Sequence, residues 1–192
     1  VHKAFTPRRV ENLREAVQST ADMLLDEVQS KGSMDVLADF AVPLPVTVIA
    51  ELLGVPEEER GLLRNWSQTI VAMYELAPTA EQERAAIQAA TEFTEYLHKL
   101  AAQRRQQPKD DLMTALVEAE EAGDRLSEDE LIATCILLLN AGHEATVNVI
   151  GNGLYALFRN PDQLQLLQEN PSLNTSAVEE LLRYDTPVQL FR

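Results

Sequence analysis

Hydrophobic positions along this chain fall into apolar helical runs divided by Pro, Gly and Asn, and strand-like alternation is nearly absent. Thr6 then Pro7 reads as an N-cap followed by proline at the first helical position. It opens a helix that runs to about Lys31, with Gly32 as its stop. Ser33 is placed to cap a short helix over 34–40. "FAVPLPVTVIAELLGVP" carries two prolines and then an apolar helix closed by Gly54 and Pro56. "PEEERGLLRNWSQTIVAMYEL" starts with acids in its first turn, where the helix dipole favours them. Thr79 with Gln82 resembles a capping box and opens a long helix ending near Gln107, before Pro108. Asp110 is placed to cap 111–122, ended by Gly123. Ser176 to Glu179 reads as the cap of a last helix that ends near Asp185.

The longest run is the informative one. Ser127 and Glu130 form a second capping box, and nothing breaks the pattern until Asn160-Pro161. At 1.5 Å per residue, about 30 residues make a rod of ~45 Å, long enough to cross a domain. The pattern therefore predicts an all-α fold around one long central helix. It shows no repeats and no internal linker, so residues 1–192 read as a single helical domain. The middle of the long helix is odd. Ala141-Gly142-His143-Glu144-Ala145-Thr146 puts a glycine and an acid where a buried helix disfavours both. Leu138, Ala141, Ala145 and Asn148/Val149 share one stripe, and small residues there allow close approach to the backbone. A helix–helix crossing wants such residues too. Glu144 needs a polar partner or a water-lined cavity.

Composition narrows the function. Lys and Arg number 16 against 31 Asp and Glu, a formal net charge of −15. A duplex binder needs a basic face to displace counterions, so nucleic acid is not an expected partner. The apolar runs are shorter than the ~20 residues of a membrane span, so no membrane is expected either. Cys135, the only cysteine, sits in an apolar run and reads as a buried inert thiol, which excludes an intrachain disulfide. With no signal peptide, the chain reads as cytoplasmic. A zinc-protease helix would need a second His four residues after His143, where Val147 stands, so no metal site is expected from these residues, and His143 reads as a satisfied histidine between helices. No nucleophile elbow or phosphate loop is present. Glu180 and Arg183, at i and i+3, can pair on one helix face.

Two stretches taken together resemble a known family. "LLLNAGHEATVNVIGNGLYALFRNPDQL" is similar to the I helix of bacterial cytochromes P450, the haem-thiolate monooxygenases. Glu180-Leu181-Leu182-Arg183 matches the Glu-x-x-Arg signature of their K helix, with "RYDTPVQ" following. "HKAFTPRRVENLR", "DFAVPLPVTVIAELLGVPEEE" and "DDLMTALVEAEEAGDRLSEDEL" are similar to the same family, so the likeness covers nearly the whole chain. It implies a P450-like helical domain, an internal segment of a longer chain. Haem would be the cofactor, a small organic substrate the ligand, and a ferredoxin- or flavin-type protein the redox partner. Ala141 and Gly142 would border the distal haem face, where the helix is locally deformed. Glu144 would relay protons from water. Glu180 and Arg183 would be buried partners in a network supporting the haem-ligand loop, and Arg192 would stand at or beside a propionate-binding position.

Two departures qualify the resemblance. The residue after the acid is usually Thr, whose hydroxyl orders water. Here it is Ala145, with Thr146 one step on and about 100° around the helix. Proton delivery would then rely on water, on a substrate hydroxyl or on a bulge that brings Thr146 round. The family's Phe-x-x-Gly-x-x-x-Cys-x-Gly loop is also absent, and Cys135 lies about two turns before Glu144 on the distal helix. The chain by itself is expected to be inactive and not to hold haem normally. An alternative from another class is a haem-less P450-like helper that stabilises a partner enzyme. The apolar wall of 57–107, with Trp66, Ile70, Met73 and Tyr74, is the expected substrate-facing region.

Overall fold

The computed structural model describes residues 7–75, 77–121 and 127–187. Among the described residues every regular element is helical. In chain order they are α1 (Pro7–Gln29), a π-helical turn (Val36–Ala41), α2 (Pro43–Leu52), a 3-10 turn (Glu57–Glu59) and α3 (Arg60–Val71). A second 3-10 turn (Ala72–Tyr74), α4 (Ala80–Gln106), α5 (Leu112–Glu121) and α6 (Glu128–Arg159) follow. Then come α7 (Pro161–Glu169), a third 3-10 turn (Pro171–Leu173) and α8 (Asn174–Tyr184).

Both capping boxes form, and they set the two longest helices. Thr79 accepts from the Gln82 amide while the Gln82 side chain accepts from the Thr79 amide at 2.7 Å. Ser127 and Glu130 do the same for α6, the Glu130 carboxylate accepting from the Ser127 amide at 2.8 Å. Each box satisfies N-terminal amides that would otherwise lack partners. The expectation of one helix over 127–159 holds, with α6 at 32 residues. It touches α2, α3, α4, α5, α7 and α8, so it is the axis of the assembly.

Three expected caps shift. Asp35, not Ser33, caps the short element before α2, its carboxylate accepting from the Leu37 and Ala38 amides at 2.9 and 3.0 Å. That element is a π turn, closed by the Val42 amide donating to the Leu37 carbonyl. Pro43 has no N–H to extend the ladder, so α2 starts there. Asp111, not Asp110, caps α5 by accepting from the Thr114 amide at 2.8 Å. Ser176 lies inside α8 and its hydroxyl donates back to the Leu173 carbonyl, so no capping box forms there. Asp35 caps from an extended backbone, φ −85° and ψ 108°; in both of the first two cases the sequence alone offers two neighbouring candidates. The segment after Pro56 is also split, its acids forming a 3-10 turn before α3.

The core joins Leu53 of α2's end, Leu63 of α3, Phe93 and Leu97 of α4, Leu116 of α5 and Leu131, Cys135 and Leu139 of α6. Trp66 is half-buried between α3 and α4. Its ring stacks on Phe93 with centroids 5.4 Å apart, and its indole N–H donates to Glu92 at 3.0 Å. It ties α3 to α4, and Ile70 packs on the same core. The Tyr96 hydroxyl donates to Glu59 at 2.6 Å; burial, then that carboxylate, holds the phenol well above its usual range.

A polar node sits beneath this core. Arg104 is 4% exposed and Asp111 7%. The Arg104 Nε donates to Asp111 Oδ2, and its Nη2 donates to the Gly54 carbonyl, both at 2.5 Å. Gly54 has φ 77°, and a Cβ there would lie 2.0 Å from Asp111 Oδ2. Glycine is needed at that position for both reasons. One guanidinium thus joins the end of α2, α4 and the start of α5.

Candidate functional site: the open face of the long helix

α6 is buried unevenly. Its buried residues are Leu131, Ile132, Cys135, Leu139, Asn140, His143 and Gly153. Between His143 and Gly153 no side chain of α6 is fully buried. On the other side of the helix Leu137 is 64% exposed and Ala141 is exposed. At 100° per residue Leu137, Ala141, Glu144 and Asn148 stand within one 60° stripe, with Ala145 at its margin. Leu138 lies at the edge and packs on the core. The result is an open stripe of small and apolar side chains with one carboxylate in it.

Glu144 is half-buried and has neither a hydrogen-bond partner nor an ion pair among the described residues. Ala145 is half-buried beside it and Thr146 is exposed. The Thr146 hydroxyl donates to the Gly142 carbonyl at 2.8 Å. That bond holds Thr146 about 160° around the helix from Glu144. Neither a bulge nor a local deformation is present: α6 is α-helical from Glu128 to Arg159. A deformed helix needs a group to receive each freed carbonyl, and here Thr146 adds a bond to a carbonyl within the regular turn.

Gly142 answers to packing rather than to the open face. A Cβ on it would come 2.6 Å from Ile49 Cδ1, so α2 crosses α6 there at close range. The obstruction is the free end of one side chain. Gly142→Ala should therefore change stability by less than ~1 kcal/mol, because the helix propensity gained by Ala is of the same size as a mild overpacking cost. Denaturant unfolding of the two forms checks this; a large loss would show that Ile49 has nowhere to turn.

Cys135 is fully buried on the core side, and burial pushes its thiol up to about 12. It faces away from Ala141 and cannot act as a thiolate toward the open stripe. No group of three His, Cys, Asp or Glu suited to a metal ion occurs among the described residues. Glu180 and Arg183 do pair, with Arg183 Nε and Nη2 donating to the two carboxylate oxygens at 2.7 and 2.6 Å. The pair is exposed, 55% and 70%, among the described residues. No described residue covers it; Arg183 holds Glu180 below the usual carboxylate range through that bond and its charge. α8 itself is held by Leu181, which packs over Gly153 of α6. Arg192 lies outside the described residues.

Sequence reasoning placed His143 between helices but missed its partners. Ser67 of α3 is buried, its hydroxyl 3.3 Å from Asn140 Oδ1 and 2.9 Å from His143 Nδ1. His143 is thus half satisfied, since its Nε2 is buried without a partner. Burial and then the Arg64 charge push its pKa below the usual histidine range. Asn140, a lone amide in the run "LLLNAG", was the readable signal.

A family model described as Cytochrome P450 matches residues 1–173. The chain belongs to the cytochrome P450 family. Curated P450 relatives extend the match through α8. Cytochrome P450 107B1 of Saccharopolyspora erythraea is 50% identical over 188 residues, covering 98% of this chain and 45% of the relative. Cytochrome P450 CYP107DY1 of Priestia megaterium is 45% identical over 188 residues, again 98% of the chain and 45% of the relative. The chain thus spans about half the length of the curated relatives it matches. Among solved structures, P450BioI in complex with an acyl carrier protein ligated to hexadec-9Z-enoic acid superposes with a TM-score of 0.90 and 40% identity. That match covers 97% of this chain and 48% of the P450BioI chain. The all-helical architecture is thus that of the helical part of P450 structures, and no described helix is long and apolar enough to cross a membrane.

Proposed function

We infer that this chain is one helical domain of a bacterial P450 monooxygenase, forming the distal wall and proton path of its active site. The observation that carries this reading is the unpaired, half-buried Glu144 in the open apolar stripe of α6. The residues fit a haem on that side only. Leu137, Ala141 and Ala145 offer a small-residue apolar surface against which a flat macrocycle can lie. The one cysteine is buried on the opposite face, so these residues would supply no thiolate to a haem there. A thiolate-ligated haem, when bound, supplies oxygen activation, with electrons from NAD(P)H through a ferredoxin-type or flavin partner.

The chain's own contributions follow from position. Ala141 and Ala145 keep the wall low, so a small organic substrate can approach. Glu144, at the edge of solvent, takes a proton from water and holds it on a carboxylate oxygen facing the stripe. Thr146 does not share that work, because its hydroxyl is spent on Gly142. Water or a substrate hydroxyl takes the part of the alcohol missing at Ala145. Glu180 and Arg183 present a preformed bidentate pair for a covering segment.

The test is spectral and chemical. The gene product that includes the haem-ligand loop should give a thiolate-haem band on reduction under carbon monoxide, and should oxygenate an organic substrate with NAD(P)H and a redox partner. The 192 residues alone should give no such band. A gene product that stabilises a partner enzyme yet binds no haem would overturn the monooxygenase reading in favour of the helper.

A further inference from the structure

The Ser67, Asn140 and His143 cluster is not used by the proton path, although His143 directly precedes Glu144. Its chemistry can be worked out. A serine hydroxyl has one proton. If it is given to Asn140 Oδ1, the 2.9 Å contact with His143 needs a proton on Nδ1, and the buried Nε2 then carries only a lone pair. The opposite tautomer would leave a buried N–H without an acceptor, the rarer and costlier defect. His143 is thus a neutral ring that donates from Nδ1 into α3.

The place of this contact matters more than its strength. His143 is the last large side chain of α6 buried in the domain; the next buried residue is Gly153, ten positions on. Glu144, Ala145 and Thr146 follow at once and are not fully buried; beyond them α6 is only partly covered, by Leu37 at Gly151 and Leu181 at Gly153. Apolar contacts upstream at Cys135 and Leu139 resist separation of the helices but fix rotation weakly. A hydrogen bond from a ring nitrogen to one hydroxyl is directional. Resting on the monooxygenase reading for its effect on turnover, we propose that the Ser67–His143 hydrogen bond is a rotational latch between α3 and α6, and that His143 is a positioning residue which sets the aim of Glu144.

The experiment uses the haem-containing gene product and three replacements of one residue. His143→Asn puts an amide at the place of Nδ1; His143→Gln puts it at the place of Nε2; His143→Leu has neither. Hydrogen exchange at the amides of 144–148 and product formed per NAD(P)H consumed are measured for each. Leu and Gln should speed exchange and lower product yield by roughly threefold to tenfold, the weight of one buried hydrogen bond, while Asn stays within twofold of wild type. Ser67→Ala, made without loss of the ring, should reproduce the Leu result, and combining it with His143→Leu should add nothing further. Equal behaviour of Asn and Gln, unchanged exchange in His143→Leu, or additive effects of the two sites would overturn the latch. The exchange arm reads the latch even if the protein oxygenates nothing, so failure of the monooxygenase reading is seen separately.

Discussion

Arg104→Met should lower stability by about 3–5 kcal/mol, the usual loss when one partner of a buried ion pair is removed. The reason is what stays behind. Asp111 would stay buried at 7% exposure without its cationic partner, and the Gly54 carbonyl would lose its donor. Met fills much of the stem volume, so the loss is electrostatic rather than a cavity. For a domain of this size that loss corresponds to a fall in unfolding temperature of roughly 6–20 °C. Asp111→Asn should cost less, since an amide oxygen can still accept from the Thr114 amide and from Arg104. Thermal and denaturant unfolding of both variants decides the matter. A shift under ~1 kcal/mol for Arg104→Met would mean that water reaches Asp111 and that the node is no keystone.

Glu144→Gln in the haem-containing gene product should keep haem and substrate binding but slow turnover at least tenfold. General acid–base groups contribute about 10²- to 10⁴-fold. Glutamine has the same shape and no titratable proton. Stability should be nearly unchanged, because Glu144 has no partner to lose among the described residues. Ala145→Thr probes the neighbouring vacancy of chemistry. If water alone stands in for the alcohol, a hydroxyl at 145 should raise product per NAD(P)H. If a substrate hydroxyl has the part, the added group should crowd it and lower that ratio. Turnover and peroxide yield for wild type and both variants with one accepted substrate give the answer. Turnover unchanged in Glu144→Gln would reduce Glu144 to a structural acid.

Much of the fold was legible because its signals are local. Thr79/Gln82 and Ser127/Glu130 satisfy each other within four residues, so the starts of α4 and α6 could be read directly. Asn160-Pro161 stops α6 and starts α7 for the same reason. Where two acids or hydroxyls stood close together, as at Ser33/Asp35 and Asp110/Asp111, the sequence could not choose, because the choice depends on where the first helical turn begins.

The candidate site divides along the same line. The acid after glycine in an apolar helix was visible from residue types alone, and so was the resemblance they carry. Which face of α6 stays open could not be seen. Gly142 looked like part of a pocket, yet Ile49 from a helix some 90 residues earlier explains it. Glu180 and Arg183 were readable as a pair, but their exposure depends on what covers α8. Arg104, Asp111 and Gly54 come from three separate segments, as do Ser67 and His143 from two. Periodicity and capping report on neighbours three or four residues apart. Burial, tautomer and pairing across 50 to 76 residues are set only when the helices pack, because there the loss of water makes each unmatched polar group costly.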